Sequence, residues 1–145
     1  MGRVRAVAVL PKEYDDVSTI RGSRLDPTQL ARGLAAMLIS IGVLHFVAPK
    51  PFDEIIPEEI PGDPRTLTYA SGVAEIGLGA ALLAPKTRRA AGALSVLLFL
   101  AVYPANINMV RLWWNKPLPY KIVALARLPF QFPMIWAAAK VAREG

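Results

Sequence analysis

Four long apolar runs dominate the pattern of hydrophobic and polar positions along the chain, at about residues 30–48, 67–84, 90–112 and 120–142. Each is close to the roughly 20 apolar residues that cross the hydrocarbon core of a bilayer as a helix. Their apolar side chains occupy most helix faces, whereas a buried helix of a soluble protein has one apolar stripe. The pattern predicts an all-α integral membrane protein, with residues 28–145 forming a bundle of four transmembrane helices.

Proline and capping residues mark the ends of these runs. Asp26 and Pro27 provide an N-cap and a first-turn proline for the first helix. Pro85 follows the second run, and Pro117 and Pro119 bound the turn before the fourth. The connections between the helices are therefore predicted to be short, except for the acidic, proline-rich segment after the first run.

Composition supports the membrane interpretation and excludes several kinds of site. Apolar residues make up 54% of the chain, against about 45–50% in soluble proteins. There is no cysteine, which excludes disulfides, thiolate metal sites and dithiol redox chemistry. A single histidine, His45, excludes a His-rich metal site or a bis-histidine haem within one chain. We therefore expect no metal site, no covalently bound cofactor and no nucleic-acid partner; the net charge of +6 is better matched by membrane lipids.

Basic residues are concentrated on one side of the predicted membrane. The side formed by residues 1–27, the PKTRR loop and the C-terminus carries Arg3, Arg5, Lys12, Arg21, Arg24, Arg32, Lys86, Arg88, Arg89, Lys140 and Arg143. The opposite side carries Lys50, Arg65, Arg111, Lys116 and Lys121. Cytoplasmic loops hold the excess of Lys and Arg. We therefore predict that both termini are cytoplasmic, that residues 1–27 form a cytoplasmic polar and basic arm, and that loops 49–66 and 108–120 lie outside.

The polar residues inside the four runs share a depth. At about 1.5 Å of rise per residue, Glu75 lies about 12 Å, Arg127 about 10 Å and Gln131 about 16 Å below the outer surface. His45 lies about 5 Å deep, and Asn106 lies within about 10 Å of the same surface. Several of these residues share helix faces, which are Gly72/Glu75/Gly79, Phe99/Tyr103/Asn106 and Arg127/Gln131. The simplest packing turns these faces inward.

This shared depth predicts a small polar pocket in the outer half of the bundle, with no catalytic residue assigned. Its candidate lining residues are His45, Glu75, Tyr103, Asn106, Arg127 and Gln131. Prolines within the third and fourth runs would release backbone groups toward it. In the long outer loop, Phe52, Ile55 and Ile56 form a candidate amphipathic lid; the alternative is a solvated loop.

Glu75 and Arg127 are predicted to form an ion pair. A charge at mid-bilayer costs about 2.5–3.5 kcal/mol on insertion scales, and pairing at matched depth offsets part of that cost. Three interpretations remain open: a structural pair that fixes helix register, a ligand site for a polar headgroup or quinone, and a proton relay. His45 is either an interfacial histidine or a donor to a bound carbonyl.

Five segments resemble the DoxX-like family of small bacterial membrane proteins. They are HFVAPKPFDEIIP at 45–57, TYASGVAEIGLGAALL at 68–83, PKTRRAAG at 85–92, VYPANINM at 102–109 and ARLPFQFPMIW at 126–136. The resemblance extends over about residues 30–140. It implies a four-helix bundle in the bacterial inner membrane, often encoded near redox proteins.

The resemblance also implies a set of partners. Family members resemble subunits of a thiosulfate:quinone oxidoreductase, accompany superoxide dismutase and a sulfurtransferase, or assist membrane-protein assembly. Glu75, Asn106, Arg127 and Gln131 would be the family-typical polar residues. The cysteine pair of the redox-associated MauE branch is absent here, which excludes direct thiol chemistry.

The function expected from these features is that of a membrane subunit in a redox-associated complex, facing a quinone or lipid and not catalytic on its own. Its partners would be membrane lipids and either a redox protein or further copies of the chain. One alternative is a small membrane enzyme acting on a lipid or quinone through Glu75, His45 and Arg127. Another is an assembly factor for a different membrane protein.

The predicted orientation is testable because the chain has no native cysteine. In Glu58→Cys, a membrane-impermeant maleimide is expected to label the thiol from outside intact cells. Lys86→Cys, in the loop predicted to be cytoplasmic, provides the control and should react only after permeabilisation. Labelling of residue 58 from the cytoplasm only would contradict the predicted orientation.

Overall fold

The computed structural model describes residues 25–145, which form five helices and, within that range, no strand. The helices are α1 (Pro27–Val47), α2 (Lys50–Ile55), α3 (Pro64–Leu83), α4 (Arg88–Trp113) and α5 (Leu118–Glu144). Among the described residues, α1, α3, α4 and α5 are long and apolar enough to cross a membrane. The predicted fold class, an all-α four-helix membrane protein, is confirmed. The predicted arm lies outside the described residues except for 25–27.

Aspartate side chains begin the two helices that start with a proline. Asp26 accepts a hydrogen bond from the backbone N–H of Thr28 at 3.0 Å, as the sequence predicts for α1. Asp63 does the same for α3, accepting from the N–H of Thr66 at 2.8 Å and from its hydroxyl at 2.9 Å. These two donors hold the pKa of Asp63 below its ordinary value. Both caps satisfy N–H groups that a helix leaves unpaired.

The four long helices form an up-down-up-down ring. α1 packs against α3 and α5, and α4 packs against the same two helices. Consequently α1 and α4 lie diagonally opposite one another, as do α3 and α5. The short helix α2 lies across one end of the ring, over α3 and α4. We call this the α2 end, and the opposite end, where α4 begins and α5 finishes, the arginine end.

Two arginines of the PKTRR segment hold the arginine end together. Arg88 donates from Nε to the carbonyl of Leu82 at 3.1 Å and from a terminal nitrogen to the Thr28 hydroxyl at 3.3 Å. Arg89 donates to the carbonyl of Arg143 at 2.9 Å. Both guanidinium groups therefore lie at C-terminal carbonyls, of α3 and α5, where a positive charge is favourable. These residues stabilise helix ends as well as contributing to the basic loop.

The distribution of side chains suits a protein surrounded by hydrocarbon. Large apolar residues project from the bundle, among them Val73, Leu97, Leu100, Phe130, Phe132 and Trp136. The apolar interior is built largely from small and medium residues, with Phe99 as a larger member: Ala31, Ala35, Leu38, Leu82, Ala138 and Val141. Buried polar residues are also inside, as the sequence analysis expects. The outer face of the helices is therefore compatible with lipid, and the inner face carries the buried polar residues.

Glycine permits close backbone contact between α4 and α5. A Cβ atom added to Gly92 would lie 2.7 Å from the backbone nitrogen of Ala142 and 2.9 Å from the carbonyl oxygen of Ala138. These obstacles are main-chain atoms, so they cannot rotate away. Small residues at helix interfaces allow this kind of approach in membranes, where packing drives helix association.

Replacing Gly92 by Ala should therefore force α4 and α5 apart. We expect a loss of about 1–3 kcal/mol in the free energy of unfolding, the usual cost of overpacking, measured by denaturation in mixed micelles. Gly77→Ala is the matched control, because a Cβ there meets nothing within 4 Å. Equal stability of the two variants would show that the contact is not tight.

Candidate functional site

A cavity of about 380 Å³ lies beneath α2, between α3 and α4. Four of the polar residues singled out by sequence line it: His45 from α1, Glu75 from α3, Asn106 from α4 and Arg127 from α5. Its volume is at the lower end of the range of about 300–1,000 Å³ that is usual for ligand sites. Every long helix thus contributes a polar group to one space at the α2 end.

A pair of glycines places His45 beside Glu75. A Cβ on Gly72 would lie 2.9 Å from the Cβ of His45 and 3.0 Å from the carbonyl oxygen of Gly42. A Cβ on Gly42 would lie 2.9 Å from the carbonyl oxygen of Gly72 and 3.1 Å from the Cβ of Glu75. The backbones of α1 and α3 therefore touch at this level. The contact brings the two ionisable side chains together without long side chains in between.

Glu75 is buried and only partly satisfied. His45 Nδ1 lies 3.1 Å from Glu75 Oε2, and both side chains are less than 10% exposed. The Nδ1–H, however, is donated to the carbonyl of Ile41 at 2.8 Å. Ser71 donates to the other carboxylate oxygen at 3.4 Å. Glu75 Oε2 is enclosed at the His45 contact and, among the described residues, has no well-aligned hydrogen-bond donor.

The predicted direct ion pair between Glu75 and Arg127 is wrong. Glu75 lies against His45, and Arg127 has no carboxylate within ion-pairing distance in the described part of the chain. The reason is the order of helices around the ring, which places α3 and α5 on a diagonal with the cavity between them. Both side chains nevertheless line the cavity.

Gln131 supports the cavity wall from behind. Asn106 donates from Nδ2 to Gln131 Oε1 at 3.2 Å, and Gln131 donates from Nε2 to the carbonyl of Phe99. Asn106 and Gln131 are both almost fully buried. Asn106 lines the cavity and Gln131 does not. These two hydrogen bonds link α4 and α5 and orient the Asn106 side chain toward the cavity.

Tyr103 is set apart from the other candidates. It is half-buried, and its ring packs edge-on against Phe132, with ring centroids 6.4 Å apart. It does not line the cavity. Although Tyr103 and Asn106 are three residues apart in a helix, Asn106 turns to the cavity and Tyr103 to the aromatic side chain of α5.

The segment suggested as a lid forms helix α2 and covers the cavity. Phe52 stacks on the ring of His45 with centroids 4.0 Å apart. Phe52, Ile55 and Ile56 all line the cavity. Ile55 is buried with Met109 of α4. Residues 50–55 are therefore packed onto the bundle, unlike the solvated loop of the alternative interpretation.

Polar contacts missed by the sequence analysis attach α2 to the bundle. Asn108 donates from Nδ2 to the carbonyl of Ile55 at 3.0 Å. Arg65 donates to Asp53 at 2.7 Å, which ties α2 to the start of α3. Asn108 lies two residues after Asn106, about 200° around an ideal helix, so spacing alone does not identify its partner. Nothing in the spacing of residues 50–65 identified the arginine–aspartate pair.

Thr68 is a further site residue that sequence reasoning overlooked. It is almost fully buried, lines the cavity, and has a hydroxyl without a partner among the described residues. It lies seven positions before Glu75, which puts both on one face of α3. That spacing was the available signal. Thr68 Oγ1 and Glu75 Oε2 are therefore two enclosed polar atoms, on residues that line the cavity, without a hydrogen-bond partner among the described residues.

Comparison of the sequence with known protein families assigns the chain to one of them. Residues 34–142 match the model of a family described as a domain of unknown function, DUF8561. The chain belongs to the DUF8561 family. No curated protein and no solved structure matches it. The matched span contains all the cavity residues described here, from His45 to Arg127, so the site is part of the DUF8561 domain.

The hydrogen bond from Asn108 should hold α2 of this DUF8561 protein against the bundle, over the cavity. In Asn108→Ala, hydrogen exchange of residues 50–56 should become faster by up to about tenfold, because such a bond contributes about 0.5–1.5 kcal/mol. Ile107→Ala is the control, since Ile107 faces outward. If both variants exchange at the wild-type rate, the bond does not hold α2.

Proposed function

We propose that this DUF8561 protein binds the polar head of a membrane amphiphile, a lipid or a quinone, in the cavity beneath α2. The observation that carries the proposal is the separation of two charges, Glu75 and Arg127, across a space large enough for a head group. The cavity therefore provides a recognition site at the depth of the bilayer.

The energetics of the two charges favour a ligand over a purely structural role. Each charged side chain in the hydrocarbon region costs about 2.5–3.5 kcal/mol on insertion scales. A structural pair would recover this cost by direct contact, yet Arg127 has no ion-pair partner among the described residues. A head group that donates a hydrogen bond to Glu75 and offers an anionic or carbonyl oxygen to Arg127 would satisfy both.

The remaining walls suit such a head group. Asn106 and Thr68 add polar groups, while Phe52 and Ile55 close the cavity with apolar surface. Ligand sites typically combine mainly apolar walls with a few placed polar groups. Lipid head groups and quinone rings both carry hydrogen-bonding oxygens, so the shared chemistry is a compact head with oxygen acceptors attached to a hydrocarbon chain.

Membership of a redox-associated complex is the partner hypothesis that follows from the DoxX-like resemblance. In such a complex the DUF8561 protein would be a non-catalytic subunit that supplies the binding site. Stoichiometric co-purification with a redox protein from native membranes tests it. Isolation of the chain only as copies of itself would contradict it.

A second candidate function, proton transfer on the bound amphiphile, is favoured by the contact between His45 and Glu75. Nδ1 and Oε2 lie 3.1 Å apart beside the cavity. A carboxylate near an imidazole can accept and return a proton when both are within reach of the reacting group. In that case Glu75→Gln would retain the ligand unchanged, whereas the wild type would release a converted product.

Ligand binding is tested by native mass spectrometry of protein extracted in mild detergent. Arg127→Gln should lower amphiphile occupancy, since a hydrogen bond to a charged group contributes about 1.5–3 kcal/mol, or roughly 10- to 150-fold in affinity. Arg111→Gln is the matched control, because Arg111 lies at the exposed end of α4.

The wild type and Arg111→Gln should therefore carry the same amphiphile at equal occupancy. Equal occupancy in Arg127→Gln as well would show that the adduct is annular lipid rather than a cavity ligand. A wild-type protein that retains no amphiphile would contradict the proposed function.

A further inference from the structure

The cavity wall between α3 and α4 contains an opening lined by alanines. Ala70 and Ala74 of α3 and Ala101 and Ala105 of α4 line the cavity. Ala70, Ala74 and Ala101 are also exposed on the outer surface of the bundle. Residues that are exposed and also line an interior space mark a passage between the two. Longer side chains at these positions would close it.

The packing of the bundle explains why the gap is there. α1 packs most extensively on α3, and α4 on α5, with glycines at both interfaces. Those tight pairs leave the seam between α3 and α4 less filled. The seam therefore has small residues on both sides but no glycine-mediated contact that would close it at this level.

The opening faces the hydrocarbon rather than water. Ala74 lies ten positions after the start of α3, which is about 15 Å along the helix. Large exposed residues on the two helices that form the opening are apolar, including Val73 on α3 and Leu97 and Leu100 on α4. A molecule passing through the gap would come from the acyl-chain region of the bilayer.

The route from water is obstructed by α2. Phe52 stacks on His45 at the top of the cavity. Asn108 and Arg65 fix α2 to α4 and α3 through hydrogen bonds of 3.0 and 2.7 Å. Entry from the aqueous side would require these contacts to break. Entry through the alanine gap requires none of them to change.

We propose that the ligand enters sideways from the bilayer, with its hydrocarbon chain lying in the gap between α3 and α4 and its head between Arg127 and Glu75. This inference rests on the proposed function and narrows the ligand class to chain-bearing amphiphiles. The cavity volume of about 380 Å³ accommodates a head group, so the chain has to emerge. The Glu75 carboxyl group and the Arg127 guanidinium, which has no ion-pair partner among the described residues, supply the recognition of the head.

The test uses two photoactivatable probes in vesicles of phosphatidylethanolamine and phosphatidylglycerol. One is a phospholipid with a diazirine near the head-group end of an acyl chain, and the other is a quinone with a diazirine in its tail. After irradiation, mass spectrometry maps the adducts. One of the two probes is expected to label α3 and α4 around Ala74 and Ala101 more strongly than it labels the remaining lipid-facing surface. The probe that does so identifies the ligand as a lipid or as a quinone.

Phenylalanine substitutions on each wall provide the decisive comparison. Ala74→Phe and Ala101→Phe should each abolish the excess labelling of the gap. Ala80→Phe and Ala93→Phe are the matched controls, because these alanines are exposed on the same helices and do not line the cavity. Thermal unfolding of all four variants establishes whether each is folded. Because Ala74 and Ala101 lie on different helices, the comparison still holds if one of these two variants does not fold.

The outcomes separate the inference from the proposed function. Uniform labelling that no substitution alters, or no labelling of the gap, overturns lateral entry. Adducts on cavity residues that persist in both Ala74→Phe and Ala101→Phe would also overturn it, while leaving amphiphile binding intact. If native mass spectrometry detects no bound amphiphile, the proposed function fails and the inference fails with it.

Discussion

The carboxylate of Glu75 has to be stabilised inside a bundle whose outer surface is apolar, and the rest of the site depends on how this is done. The Gly42–Gly72 contact places His45 at 3.1 Å from Glu75. The carboxylate oxygen nearest His45 is enclosed and has no well-aligned hydrogen-bond donor among the described residues. A fully satisfied carboxylate would be a structural element. A partly satisfied one, on a residue that lines a cavity, supports the proposed binding role.

Close helix packing at glycines explains both the tight helix pairs and the open seam of the bundle. Glycines hold α1 against α3 and α4 against α5 at backbone distance. Two tight pairs joined at their edges form a ring, and the α3–α4 edge is the one with a cavity behind it. The arginines Arg88 and Arg89 close the opposite end by capping helix carbonyls. These hydrogen bonds therefore tie the helices together at the end of the bundle opposite the cavity.

The sequence predicted correctly those structural features that depend on a single residue or on one run of apolar residues. Apolar runs and the Asp26–Pro27 cap located the helices, and the run predicted at 67–84 corresponds to α3 at Pro64–Leu83. The inward direction of Glu75 followed from its spacing to Gly72. The shared level of His45, Glu75, Asn106 and Arg127 was also predictable, since it needs only the rise per residue, and all four line one cavity.

What depended on the arrangement of helices around the ring was not readable from sequence. Glu75 and Arg127 have similar depths, but depth does not reveal that α3 and α5 are diagonal, so the predicted ion pair was wrong. The bond from Asn108 to Ile55 joins residues 53 positions apart and required the fold. Tyr103 shares a nominal face with Asn106, yet packs on Phe132, since a face spans more than one neighbour.

The central claim is that the space between Glu75 and Arg127 holds the head of a membrane amphiphile. The most direct measurement is an experimental structure of the protein extracted with its native lipids, without exchange into detergent. We expect density for a head group contacting the Glu75 carboxyl group and the Arg127 guanidinium, with a chain leaving between Ala74 and Ala101. An empty cavity, or Arg127 turned into direct contact with Glu75, would contradict the account.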